Sequence, residues 1–177
     1  MRCFIAIDLS EDIKDYLYNL QKEIGNSLAK IRWIEKKNLH LTLKFLGDID
    51  EIKISNVKKI LSNVKFEPFE VKIEKIGVFP SENYVRVIWV GLNTTNKVIE
   101  LQKDIDSALL NLFPKEQRFE SHLTIGRVKL IKDKVKFIEK LKKIKIKDLY
   151  FNINKFRIYK STLTRNGPIY EVIEEYS

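Results

Sequence analysis

The chain has 177 residues and 44% hydrophobic content, enough to bury a core as one ordinary domain or two half-size lobes, which excludes disorder of the whole. Lysine and arginine total 33 against 24 aspartate and glutamate, a net charge of +9 that favours polyanions such as nucleic acid, although genome bias or a hot habitat also yields lysine-rich chains. One cysteine, Cys3, excludes an internal disulfide, and two histidines are too few soft ligands for a Cys/His zinc site.

The apolar run in Met1 to Ser10 is too short for a signal-peptide core, and the uncharged run Val87 to Asn96 falls well below the ~20 apolar residues a bilayer span needs. A monomer in a reducing cytoplasm, away from membranes, is the expectation.

Cys3 to Leu9 reads as a buried strand, and Ser10 as the N-cap of a helix with Glu11 and Asp12 in its first turn. The helix has an apolar stripe of Ile13, Tyr16, Leu17, Leu20, Ile24 and Leu28, interrupted by Gly25. Leu39 to Leu46 alternates, which places Leu39, Leu41, Leu43 and Phe45 on one face and His40, Thr42 and Lys44 on the other. After Gly47, Asp50 caps a second helix with Ile54, Val57, Ile60, Leu61 and Val64 inward. Phe69 to Phe79 follows as a strand with a bulge near Lys75.

A second series begins with the strand Tyr84 to Leu92. A helix carrying Val98, Leu101, Ile105, Ala108, Leu109 and Leu112 comes next, then a strand from Phe119 to Val128. A basic helix within Lys132 to Lys147 turns Val135, Ile138, Leu141 and Ile144 inward. Its lysines either solvate the opposite face or track RNA phosphates. Leu149 to Tyr159 reads as a strand, and Asn166-Gly167 as the tight turn of a closing hairpin. Strand-helix-strand-helix-strand therefore occurs twice, in halves of about 1–80 and 83–177. The expected fold class is α+β: one bilobal domain of two pseudo-symmetric lobes, each a mostly antiparallel sheet with helices on its outer face, and an active-site cleft between them.

The two histidines lie in H-L-T-L (His40 to Leu43) and H-L-T-I (His122 to Ile125). With six threonines in the chain, two unrelated histidines would both carry Thr at the second following position about once in a thousand cases. On a strand, i and i+2 share a face about 6–7 Å apart, so each motif presents an imidazole beside a hydroxyl. Brought together by an approximate twofold, the two pairs would surround one phosphate. A neutral imidazole would take a proton from an attacking water and an imidazolium would protonate the departing alkoxide, with the threonines on the non-bridging oxygens. This chemistry needs no metal or cofactor.

The chain resembles the two-histidine phosphoesterase superfamily, and within it the archaeal and bacterial RNA 2′,3′-cyclic phosphodiesterases, also called 2′-5′ RNA ligase-like or LigT-like proteins. The likeness runs through M-R-C-F-I-A-I-D (Met1 to Asp8), N-L-H-L-T-L-K-F-L-G (Asn38 to Gly47) and G-V-F-P (Gly77 to Pro80). It continues in R-V-I-W-V-G-L (Arg86 to Leu92), H-L-T-I-G-R-V (His122 to Val128), Y-K-S-T-L and G-P-I-Y-E. The resemblance implies a bilobal fold and hydrolysis of a 2′,3′-cyclic phosphate, on RNA ends or small cyclic nucleotides, to a 2′-phosphate. It also implies His40 as proton donor to the 3′-oxygen, His122 as the base that activates water, and Thr42 and Thr124 as phosphate-binding hydroxyls.

Arg127 has the opposite parity to His122 and Thr124, so it joins a phosphate site only if Gly126 marks a bulge or the strand ends there; otherwise it forms a surface ion pair. Lys44 shares the parity of His40 and is a candidate substrate contact, or an ordinary edge lysine. Trp33, preceded by Arg32, is a candidate base-stacking platform, or a core residue. Ligation of cyclic phosphate to 5′-hydroxyl ends, or RNA binding without catalysis, are the alternative functions.

Overall fold

The computed structural model describes residues 1–93 and 96–177. Its strands are β1 (Arg2–Asp8), β2 (Ala29–Trp33), β3 (His40–Asp48), β4 (Phe69–Ser81), β5 (Tyr84–Asn93), β6 (His122–Ile131), β7 (Tyr150–Ile153), β8 (Phe156–Thr164) and β9 (Gly167–Tyr176). The helices among the described residues are α1 (Glu11–Ile24), α2 (Glu51–Leu61), α3 (Lys97–Ala108) and α4 (Lys134–Lys143), with a 3-10 turn at Lys36–Asn38.

Helix ends follow local chemistry. Asp50 caps α2 by accepting from Lys53 N at 2.7 Å, and Asp133 caps α4 by accepting from Lys136 N at 3.1 Å. Ser10 occupies the N-cap of α1 but its side chain makes no capping bond. Gly25, at φ 63°, ends α1, so Leu28 lies beyond the helix rather than on its stripe. The freed segment becomes β2, a strand the sequence reading missed: Ala29 and Ile31 are buried, and Lys30 and Arg32 are exposed.

The strands form two antiparallel sheets, one of four strands in the order β3-β1-β8-β9 and one of five in the order β2-β6-β5-β4-β7. An α+β fold is the result. The sheets do not coincide with the expected lobes of residues 1–80 and 83–177. β4, from the first half, runs beside β5, and β8, from the second half, runs beside β1. β2 and β4 of the first half thus lie in the sheet of β5 and β6, and β8 and β9 of the second half lie in the sheet of β1 and β3. The expected strand Leu149 to Tyr159 is divided at Asn154-Lys155 into β7 and β8, which lie in different sheets. The closing hairpin is shifted by one residue: Thr164 pairs with Gly167, so Arg165 and Asn166 form the loop and Gly167, at φ 122°, begins β9.

Among the described residues the main apolar core lies between the sheets and the helices, with Ile5, Leu41, Leu61, Ile88, Leu123 and Phe156 fully enclosed, and Phe4, Ala6 and Tyr159 form a small second cluster. α1 packs against β6 and α3 against β3, so each helix covers a histidine-bearing strand.

Candidate active site

The two histidine strands repeat each other in detail. Over nine positions from each histidine, β3 and β6 have the same order of buried and open residues. In β3 the ladder with β1 skips Leu43, and in β6 the ladder with β5 skips Ile125, each three residues after its histidine. An extra residue reverses the alternation beyond it. His40, Thr42 and Phe45 therefore share one face, and so do His122, Thr124 and Arg127.

This bulge settles the parity of Arg127. It lies at Ile125 rather than Gly126, and it turns Arg127 to the open face. The same device corrects Lys44: the bulge at Leu43 turns Lys44 inward, where it is 4% exposed, and turns Phe45 out to 70% exposed. Lys44 pairs with the buried Asp106 of α3 and donates to Pro114 O at 3.0 Å, so it is not a residue of the substrate face.

Trp33 is also corrected as a substrate contact. It pairs with Gly126 and packs on the core side with Ile31, and a Cβ at Gly126 would lie 2.7 Å from its ring. Its neighbour Arg32 instead stands on the open face beside Arg127.

Both imidazoles are held in the same way. His40 Nδ1 is 2.7 Å from Asn38 O, and His122 Nδ1 is 2.7 Å from Glu120 O, in each case the carbonyl two residues upstream. A carbonyl only accepts, so Nδ1 carries the proton and Nε2 is left as the working nitrogen. His40 Nε2 lies 2.8 Å from Thr42 Oγ1. Burial holds the His40 pKa below its ordinary value, against the opposing hydrogen bond to Asn38 O and the Asp8 carboxylate.

Aromatic rings flank each imidazole. Phe4 and Tyr170 lie 5.0 and 5.4 Å from the His40 ring, and Phe79 and Trp89 lie 5.1 and 6.2 Å from the His122 ring. Sequence reasoning missed all four, although Phe4, Phe79, Trp89 and Tyr170 fall inside the familiar segments. Burial raises the Tyr170 pKa, and the field of Arg127 opposes it. Arg127 of one sheet therefore acts through its charge on the tyrosine that packs on His40 of the other. β3 and β6 also lie against each other, and Ile34 N, the residue after β2, donates to Ile125 O at 3.0 Å, extending the β2–β6 pairing.

The family profile described as LigT like Phosphoesterase matches residues 7–89 and 90–170. The chain belongs to this family. A Methanocaldococcus jannaschii relative named RNA 2′,3′-cyclic phosphodiesterase is 44% identical over 178 residues, covering 99% of this chain and 100% of its own length. A Thermotoga maritima relative of the same name is 36% identical, covering 99% of this chain and 94% of its own. The LigT-like fold is shared with the crystal structure of TT0787 of Thermus thermophilus, at TM-score 0.80, 22% identity and coverage of 99% and 97%. Escherichia coli LigT complexed with 3′-AMP matches at TM-score 0.78, 21% identity and coverage of 99% and 96%. The two matched segments of the family profile each contain one histidine motif, in keeping with the internal repeat. No helix among the described residues is long and apolar enough to cross a membrane.

Proposed function

We propose that this LigT-like protein hydrolyses RNA or nucleoside 2′,3′-cyclic phosphates to 2′-phosphates, using its two histidines as acid and base and no metal. The reading is carried by the duplicated half-site: an Nδ1-anchored imidazole, a threonine hydroxyl on the same face and a bulge three residues on, present once in each sheet. The names of its relatives supply the substrate class.

In this mechanism His122 Nε2 takes a proton as water oxygen attacks phosphorus. The P–O3′ bond breaks, and His40 Nε2 gives its proton to O3′, leaving a 2′-phosphate and a free 3′-hydroxyl. The donor and acceptor assignment follows the family resemblance. Thr42, Thr124 and Arg127 hold the non-bridging oxygens as charge develops on them. His40 must be charged to donate, and its burial opposes that. The bound phosphate supplies the compensating negative charge at Nε2.

Turnover of a nucleoside 2′,3′-cyclic phosphate in EDTA tests the proposal. Wild type should form only the 2′-phosphate, and His40→Ala and His122→Ala should each lose about 10²–10⁴-fold in rate. No wild-type turnover, or full activity in either variant, rejects it.

A further inference from the structure

Two guanidinium groups stand side by side on the open face of the five-stranded sheet. Arg32 of β2 is directly opposite Arg127 of β6 in the ladder, and both are exposed. Like charges in that relation repel, so the packing of the sheet gives no reason for the pair. Among the described residues Arg157 is the only arginine held in an ion pair, which leaves Arg32 and Arg127 without a carboxylate. Glu35 lies near Arg32, but it pairs with Lys37 at 3.0 Å.

The surroundings of Arg32 place it close to His40. A Cβ on Gly167, at the tip of the β8–β9 hairpin, would lie 3.4 Å from Arg32 Nη2. The next residue, Pro168, accepts from Asn38, whose own carbonyl holds His40 Nδ1. Arg32 therefore stands between β2 of one sheet and the hairpin tip of the other, on the His40 side of the cleft. Two unneutralised guanidiniums at the separation of ladder partners, about 4.5–5.5 Å between Cβ atoms, suit two anions in a row, which successive phosphates of one nucleic-acid strand provide.

We propose that Arg32 binds the phosphodiester on the 5′ side of the terminal nucleoside, so that the site takes RNA ends in preference to free nucleoside cyclic phosphates. The proposal deepens the reading of the site as a cyclic phosphodiesterase and rests on it. In that reading Arg127 holds the reacting phosphate and the 3′-oxygen leaves toward His40. The attacking and leaving oxygens lie on opposite sides of phosphorus, so the ribose and its 5′-phosphodiester lie on the side where Arg32 stands. One nucleotide separates the two phosphates, as one ladder pairing separates the two arginines. A guanidinium keeps its charge at any working pH and presents a planar fork of N–H donors to phosphate oxygens. A free nucleoside cyclic phosphate ends in an uncharged 5′-hydroxyl and forgoes that contact.

Arg32 is exposed, so its substitution leaves the core intact. In wild type, kcat/KM for a dinucleotide ending in a 2′,3′-cyclic phosphate should exceed that for the matching nucleoside 2′,3′-cyclic phosphate about tenfold, mainly through KM. Arg32→Gln should bring this ratio to about one, and Arg32→Lys should keep part of it. A dinucleotide joined by an uncharged methylphosphonate should also give wild type a ratio of about one. The logarithmic salt dependence of kcat/KM on the natural dinucleotide should flatten by about 0.7 in Arg32→Gln. A wild-type ratio near unity, a ratio that persists in Arg32→Gln, or full preference for the methylphosphonate would overturn the proposal; the last would assign the gain to the second nucleoside rather than to its charge. Should wild type turn over neither substrate, the cyclic phosphodiesterase reading fails, and calorimetry with adenylyl-adenosine 2′-phosphate and 2′-AMP tests Arg32 alone. Loss of the dinucleotide's advantage in Arg32→Gln supports the contact; an unchanged advantage, or none in wild type, overturns it.

Discussion

Lys44 and Asp106, 62 residues apart, form a buried ion pair that ties the His40 strand to α3 and to the segment leading into the His122 strand. Asp106 also accepts from Glu116 N at 3.0 Å, and Lys44 donates to Pro114 O at 3.0 Å. On the other side, Gln21 of α1 donates to Ile125 O, at the second bulge, at 2.9 Å. Each bulge is thus braced by a buried polar side chain. Removing one partner of a buried pair strands the other, so Lys44→Ala should lose about 3–5 kcal/mol in denaturant unfolding. Lys44→Met with Asp106→Leu should recover part of that loss, and an unaltered midpoint in Lys44→Ala would contradict the pairing.

Thr42 has two expected duties, orienting His40 Nε2 at 2.8 Å and holding a phosphate oxygen. Thr42→Val keeps the shape and removes the hydroxyl, and kcat should fall about 10²–10³-fold. Thr42→Ser should restore most of the activity, measured on a nucleoside 2′,3′-cyclic phosphate.

The lowered pKa of His40 sets a sign in the pH profile. A proton donor must be charged, so activity is lost as pH rises through its pKa. In the free protein burial moves that limb below about 6.5, while bound anionic phosphate moves it back up. The descending limb of kcat should therefore lie at higher pH than that of kcat/KM. Superimposed limbs would argue against substrate-assisted charging of His40.

The same burial makes a stability claim. Above the unfolded pKa of about 6.5 His40 is neutral in both states; below it the unfolded chain gains a proton that the folded site resists. Stability contributed by this group therefore falls as pH drops from about 6.5 through the lower folded pKa. His40→Asn should flatten that segment of the unfolding profile.

Gly77→Ala places a methyl group where the Trp89 ring lies, with carbons 2.1–2.4 Å away. Relieving the clash should cost about 1–3 kcal/mol and tilt the indole against His122. A thermal midpoint equal to wild type would show the ring to be elsewhere.

The twin H-x-T-x motifs and the helix stripes were legible because each depends on spacing within one element. The facing of Lys44 and Arg127 was not, since it turns on an extra residue in a ladder that only the partner strand defines. β2 was hidden because Leu28 extended an apolar stripe past Gly25, where backbone conformation ends the helix. The exchange of β4 and β8 was invisible for a related reason: alternation marks which face of a strand is buried, not which neighbour it joins.

That exchange bears on how the cleft can move. The polypeptide passes from one sheet to the other through segments anchored at both ends by antiparallel ladders. Swinging the sheets apart as rigid paddles would strain several such crossings together. The β8–β9 hairpin is itself fastened near its tip, where Asn38 Nδ2 donates to Pro168 O at 2.9 Å.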